Sequence, residues 1–383
     1  MTVPEERPST AVVICLPDAR PERRLLGLSL GERLLLTLAA GGIARVAFVG
    51  DGDRPTCERA ALDIVQLDQL DAESGTWLVA SDAVFDRHLL ATPEAVDDGP
   101  LRWLDGEKLP ETLAALPSSP PDLAAGQASS GRGFAIRVTD KASRRAARRA
   151  LLLSLRKPID GLISRHLNRY VSTFISSRLV NTGVRPNHLT IVFTLVGLSS
   201  AVFAAHAEYW WSLVLAGALV QLQSILDGCD GEVARLTYRF SLSGQWLDSI
   251  GDDLTNYAFC LGLAIGQARV LDRPELYAAG VAVLLVQMLG SGILYRRLIK
   301  MGTGDLLAIP DVTTTPSGDG LWARFMRVLR LLFKRDSFVF MFAVLTAAQQ
   351  ALIAFFLFGL GSVMMAVATV LNERALVRME ANQ

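Results

Sequence analysis

The chain has 383 residues, 51% of them hydrophobic, and its 38 Lys and Arg balance 38 Asp and Glu. A mean hydropathy of +0.33 is high for a soluble protein, while the balanced charge argues against a nucleic-acid partner held by bulk positive charge. Cys15, Cys57, Cys229 and Cys260 form no CxxC pair and no metal-ligand spacing. A disulfide scaffold and a zinc module are therefore set aside, and a reducing compartment fits.

Residues 1–140 read as a soluble domain. Their opening, MTVPEERPST, is polar and lacks a signal-peptide pattern, which predicts that the domain stays on the side where it is made. Strand-like runs at Thr10–Leu16, Ala44–Gly50, Thr76–Ala80 and Phe134–Val138 surround a helix at Leu30–Ala40 that ends at Gly41-Gly42. Short apolar strands alternating with helix predict a doubly wound, Rossmann-like α/β sheet. The stretch PSSPPDLAAGQASSGRG, residues 117–133, is too polar to pack and reads as a linker or long loop.

From Asp140 the composition turns basic. In residues 141–184 arginines and apolar residues segregate at helical spacing, interrupted at Pro158, which predicts amphipathic helices lying in a membrane interface. A calmodulin-type target or a nucleic-acid arm is the competing reading; adjacency to the first apolar span argues against both. His166 reads as interfacial packing, because the four histidines are scattered.

Residues 185–383 hold six apolar spans, placed at 188–207, 211–234, 245–268, 275–297, 336–348 and 351–371. Each except the short fifth approaches the length needed for about 30 Å of hydrocarbon. Lys and Arg crowd the N-terminal collar, the Arg235–Arg239 turn, the 296–335 loop and the tail with Arg374 and Arg378. The intervening loops hold only Arg269 and Arg273. Positive charge on one side predicts both termini in the cytoplasm of an integral membrane protein.

Four carboxylates interrupt this apolar sequence at Asp227, Asp230, Asp248 and Asp252. On a helix Asp230 lies about 60° from Asp227, Gly231 about 40° away on the other side, and Ala234 within about 20°. One face thus carries two acids beside two minimal side chains. Gly244, Asp248 and Asp252 recur at i, i+4 and i+8 with Gly251 adjoining, and the polar Thr237–Ser243 segment folds the two helices face to face. Acids so gathered repel unless a cation neutralises them, and an all-oxygen set suits Mg²⁺ or Mn²⁺. The glycines leave room for a diphosphate against backbone. Cys229, about 100° from either neighbouring acid, reads as a small helix residue and not as a nucleophile.

Asp227-x2-Asp230-Gly231-x2-Ala234-Arg235-x8-Gly244-x3-Asp248-x3-Asp252 matches at every fixed position the signature of the CDP-alcohol phosphotransferases, and residues 185–383 resemble that family. The resemblance implies a six-helix membrane enzyme, homodimeric, that moves a phospho-alcohol group from a CDP-alcohol to an acceptor hydroxyl with release of CMP. It implies two divalent ions on Asp227, Asp230, Asp248 and Asp252, with Asp252 also the general base. Gly231, Ala234 and Gly244 then admit the cytidine and Arg235 faces the phosphates. Pro186-Asn187-His188-Leu189-Thr190 resembles the family's PN-x-x-T element, so Asn187 and Thr190 are candidate nucleotide contacts, with helix capping the alternative. Arg335-Asp336 resembles the family's fifth-span opening. With Arg296 it is the candidate site for a phosphorylated acceptor, whereas Arg297 and Lys300 read as interfacial flank.

The order strand, loop, helix, GGI, strand and LVASDAVFD in residues 1–140 resembles the sugar nucleotidyltransferases, including those fused to a CDP-alcohol phosphotransferase in inositol-phosphate synthesis. Where such enzymes carry a glycine-rich loop, this chain reads Pro17-Asp18-Ala19-Arg20-Pro21-Glu22-Arg23-Arg24. Without glycine the backbone cannot approach a triphosphate closely. The domain is therefore expected to be a degenerate, inactive relative, with Asp82 and Arg23 as the residues for the alternative of an active CTP-dependent enzyme. SRHLNRYVST and LDGCDGEVARL resemble the di-inositol-phosphate phosphate synthases, although CDP-diacylglycerol enzymes share the eight fixed residues. An ion-binding transporter or scaffold is the alternative from another class.

Overall fold

The computed structural model describes residues 10–70, 75–91, 99–104, 127–128, 133–156, 161–310, 320 and 335–381. The chain opening, most of the 117–133 stretch, the interruption at Pro158 and much of the 296–335 loop lie outside the described residues. The chain divides into two compact units. The first comprises Met1–Leu155, Val180–Thr182 and Leu236–Tyr238, and the second the remainder.

In the first unit β1 (Thr10–Ile14) is five buried residues, TAVVI, as a strand covered on both faces requires. A short hairpin, β2 (Arg24–Leu25) with β3 (Leu28–Ser29), leads into α1 (Leu30–Ala40). Ser29 starts that helix by a reciprocal cap: its hydroxyl accepts from the Glu32 amide while the Glu32 carboxylate accepts from the Ser29 amide. The sheet then takes β4 (Arg45–Val49), β5 (Asp63–Ile64), β6 (Thr76–Ala80) and, after β7 (Ala83–Phe85), β8 (Leu101–Leu104). Its order is β5-β4-β1-β6-β8, with β1 parallel to β4 and β6, and β8 antiparallel on β6. A second sheet pairs β7 and β9 (Gln127–Ala128) with β10 (Ala135–Arg137).

The parallel centre agrees with the expected α/β sheet; helices on both of its faces are not seen among the described residues. Among the described residues α1 is the single helical crossover, and β4 returns to β6 through β5 and a short 3-10 turn at Leu67–Gln69. That connection begins DGDRPTCERAALD, with Pro55 and no apolar stripe at helical spacing, so it cannot bury a helix against the sheet. α2 (Lys141–Ser154) also belongs to the first unit. Its Ala147 and Leu151, on the side read above as interface-facing, are buried with Leu25, Val84 and Ile136.

The second unit is helical. α3 (Arg169–Leu179) follows a π-turn at Ser164–Asn168 and precedes α4 (Pro186–Ala205), α5 (Trp210–Thr237), α6 (Leu242–Val270), α7 (Glu275–Met301), α8 (Arg335–Ala347) and α9 (Ala351–Ala381). Four of them, α4, α5, α7 and α9, are long and apolar enough to cross a membrane. α6 is as long as these but carries Asp248, Asp252 and Asp253, and α8, with 13 residues, reaches only about 20 Å.

Small residues bring α4 and α6 together. A Cβ on Gly251 would lie 2.5 Å from Thr194 Oγ1, and Cβ atoms on Gly197, Gly262 and Gly266 would strike Thr255, the Ala201 carbonyl and the Ala204 carbonyl. Without a hydrophobic drive between helices in lipid, such close backbone approach is what holds a pair together. Phe259, Leu263, Leu213, Phe342 and Phe355 fill the core beside this seam. All four cysteines are free, with Cys15, Cys229 and Cys260 buried and Cys57 partly exposed.

Candidate active site

The acids predicted from helical spacing sit on facing stretches of α5 and α6. Asp227, Asp248 and Asp252 each place a carboxylate oxygen within 4.8 Å of the others. Asp230 stands beside that group with its own partners: Oδ2 accepts from Thr190 Oγ1 and Oδ1 from the Gly231 amide at 2.5 Å. Three hard oxygen donors at this separation, unmixed with His or Cys, match the donor set of a magnesium- or manganese-type ion.

Two further side chains hold Asp252. Both terminal nitrogens of Arg335, at the start of α8, donate to its carboxylate, and the same guanidinium lies 3.8 Å from Asp227. Gln223, one turn before Asp227 on α5, directs its amide at Asp252 Oδ1 at 3.4 Å. Arg335, the candidate for an acceptor phosphate, here pairs with the acids. An arginine beside uncompensated carboxylates is held by them until another cation shares the charge. Arg296 is exposed on α7.

Room for a ligand lies at the motif's small residues. A Cβ on Gly231 would meet only the Arg235 guanidinium, at 3.8 Å. Gly244 is different: a Cβ there would lie 2.8 Å from Asn187 Oδ1 and 2.9 Å from Ser241 Oγ, so the glycine lets the PN-x-x-T element approach α6. Ser241 also caps α6 by accepting from the Gly244 amide at 3.0 Å. Thr190 contacts Asp230, and Ala234 is half-buried on the Gly231 side of α5. Gly251, counted above as space beside the acids, is instead packed on Thr194.

Two buried charged residues depart from the reading of the sequence, one not singled out there and the other assigned to the flank. Glu232, fully buried between motif positions, accepts from Arg169 Nη1 at 2.7 Å and Ser172 Oγ at 2.8 Å, which fixes α3 to α5. Arg297, assigned above to the flank, is buried and paired with Glu373 at 3.5 Å and with Glu380. An ionisable residue inside an apolar run was the available signal for both.

In the first unit Asp82 is fully buried at the end of β6, where Arg137 Nε donates to both its oxygens at 3.0 and 3.2 Å. Arg137 also reaches Asp18, in the loop after β1, at 2.5 Å. Burial pushes the Asp82 carboxyl above its ordinary range, against the pull of Arg137. Arg23 donates to the Thr139 carbonyl at 3.0 Å.

Comparison with known proteins places this geometry. Residues 184–372 match the family model described as CDP-alcohol phosphatidyltransferase. The C-terminal part of the chain is a CDP-alcohol phosphatidyltransferase domain of a membrane protein. It is similar to the bifunctional IPC transferase and DIPP synthase of Archaeoglobus fulgidus, 42% identical over 122 residues, which are 32% of this chain and 24% of that one. The protein of the same name from Aquifex aeolicus is 47% identical over 28% of this chain and 23% of its own. The archaetidylinositol phosphate synthase of Pyrococcus horikoshii is 35% identical over 24% and 47%. The matched stretch therefore spans less than half the length of each of these relatives. A solved phosphatidylinositol phosphate synthase of Mycobacterium tuberculosis with CDP-DAG bound aligns with 53% of this chain and 94% of its own, at 17% identity and a TM-score of 0.40.

Proposed function

We propose that this chain transfers a phospho-alcohol group from a CDP-alcohol to an acceptor hydroxyl at a membrane surface and releases CMP. The observation that carries the reading is the meeting of Asp227, Asp248 and Asp252 beside the open face of Gly231. Asp227, Asp230, Asp248 and Asp252 are the residues proposed to hold two magnesium or manganese ions. When bound, such ions offset the charge of the diphosphate and of the departing CMP.

The chain's own groups do the rest. Gly231, Ala234 and Gly244 admit the cytidine, with Asn187 and Thr190 at its edge, while Arg235 lies along the phosphates. Asp252 takes the proton from the acceptor hydroxyl as its oxygen bonds to phosphorus and the bond from phosphorus to the CMP oxygen breaks. No Ser, Cys or His stands among the motif positions, so a single displacement is the simpler course. For this, Arg335 exchanges its pairing with Asp252 for the phosphate of an incoming acceptor, joined there by Arg296.

The names of the relatives, two DIPP synthases and an archaetidylinositol phosphate synthase, support a phosphorylated inositol acceptor, with a soluble or a lipid CDP-alcohol as donor. The six helices α4–α9 are proposed to span the membrane with both termini and the acids at the cytoplasmic side, in a homodimer. Residues 1–140 are proposed to be an inactive nucleotidyltransferase relative, 141–184 its connection to the membrane, and 185–383 the catalytic part. Arg137 across Asp82 supports the inactivity, because a fixed cation already holds that carboxylate.

Release of CMP from a panel of CDP-alcohols, with Mg²⁺ or Mn²⁺ and with or without phosphorylated acceptors, tests the reading and names the donor. Asp248→Asn and Asp252→Asn are each expected to abolish release in protein that still inserts and purifies. Turnover near that of the parent in either variant refutes the assignment.

A further inference from the structure

α6 presents two polar faces. Gly244, Asp248 and Asp252 face the acid group, and one residue later Gln245, Ser249, Asp253 and Tyr257 form a second ladder about 100° around the helix. Every rung of the second ladder is hydrogen-bonded. Gln245 Oε1 accepts from Thr303 Oγ1 and from the Gly304 amide, both at 3.1 Å, and Ser249 Oγ donates to the Gly304 carbonyl at 2.8 Å. Asp253 Oδ2 accepts from Tyr295 of α7 at 2.6 Å and from Tyr257 at 3.3 Å. The Tyr295 ring also stands edge-on to Trp246, with centroids 5.6 Å apart.

A carboxylate in an apolar helix is costly unless something is gained from it. Asp253 does not belong to the three-acid group. What it has is a short, charge-assisted bond from a phenol rooted on the neighbouring helix. A roll of α6 that turned Asp248 and Asp252 away from Asp227 would pull Asp253 from Tyr295 and Gln245 from Gly304 together. We propose that the Tyr295–Asp253 pair is a positioning device: it fixes the roll of α6 and so holds Asp248 and Asp252 at the separation from Asp227 that a divalent ion requires. Neither residue touches the substrate in this scheme, which rests on the metal-site reading above.

The test is Mn²⁺ affinity of the full chain in detergent, followed by the loss of the free-ion electron paramagnetic resonance signal. Thermal unfolding without metal is measured alongside. Tyr295→Phe removes one oxygen and keeps the ring on Trp246. It is expected to weaken Mn²⁺ binding about tenfold, the scale seen for groups that orient metal ligands, with the metal-free unfolding temperature unchanged. Asp253→Ala should match that loss, the double variant should be no worse than either, and Asp253→Asn, which still accepts from Tyr295, should bind within about threefold of the parent. Parent-like affinity in Tyr295→Phe overturns the proposal. So does a loss in Asp253→Asn as large as in Asp252→Asn, which makes Asp253 a ligand in its own right. If the parent chain binds no Mn²⁺ and Asp248→Asn changes nothing, the metal-site reading fails and takes this inference with it.

Discussion

Arg335 brings one positive charge into a group of three carboxylates, and its pairing with Asp252 sets a threshold that an entering cation must meet. Bare Coulomb attraction at this range is several kcal/mol, but the guanidinium is half exposed and water screens most of it. Arg335→Gln is therefore expected to tighten Mn²⁺ binding by about tenfold while slowing transfer to a phosphorylated acceptor. Calorimetric titration of the variant measures the first and CMP release the second. The positions of the acids were legible in sequence because they depend on one helix period, which is local. The pairing of Arg335 with a residue 83 positions away depends on how α8 packs, and no spacing encodes that. The same limit explains Gly251: periodicity shows that it adjoins Asp252, but not that α4 covers it with Thr194.

At the scale of elements, the relation between α4 and α6 governs where the acids of α6 stand. In their seam Gly262 and Gly266 tolerate no side chain, because the opposing groups at Ala201 and Ala204 are backbone carbonyls that cannot turn aside, while Gly197 and Gly251 face the side chains of Thr255 and Thr194. Gly262→Val should cost about 1–3 kcal/mol, as overpacking does elsewhere. A fall in the unfolding temperature in detergent measures it, whereas Gly292→Ala, where a Cβ meets nothing within 4 Å and alanine favours the helix, should hold or raise that temperature. The helix starts were legible to within about three residues, since apolar runs begin after polar turns, but α9 runs on to Ala381, well past the predicted end at 371, because its last turns are polar. The seam was not, because glycines in an apolar helix carry no mark of which partner they face. In the first unit the strands were legible from buried runs such as TAVVI, and the missing crossover helix was a failure of pattern to predict what a proline-bearing connection does.

At the scale of the whole molecule, sequence told an α/β part from an apolar helical part because hydropathy and charge separate along the chain. It did not show that Val180–Thr182 and Leu236–Tyr238 belong with the first unit, since those short segments lie far from it in order. Sidedness is the property of the whole that a simple measurement can now reach. Three of the four thiols are shut away and Cys57 alone is partly open, in the first unit. The unaltered chain thus carries its own reporter: an impermeant maleimide should modify Cys57 in inverted vesicles and spare it in right-side-out ones, and labelling from the outer face refutes a cytoplasmic first unit. The three buried thiols, usually a nuisance to be engineered away, here leave the background silent, so a cysteine added at Gln349 can be read against the native one within a single polypeptide.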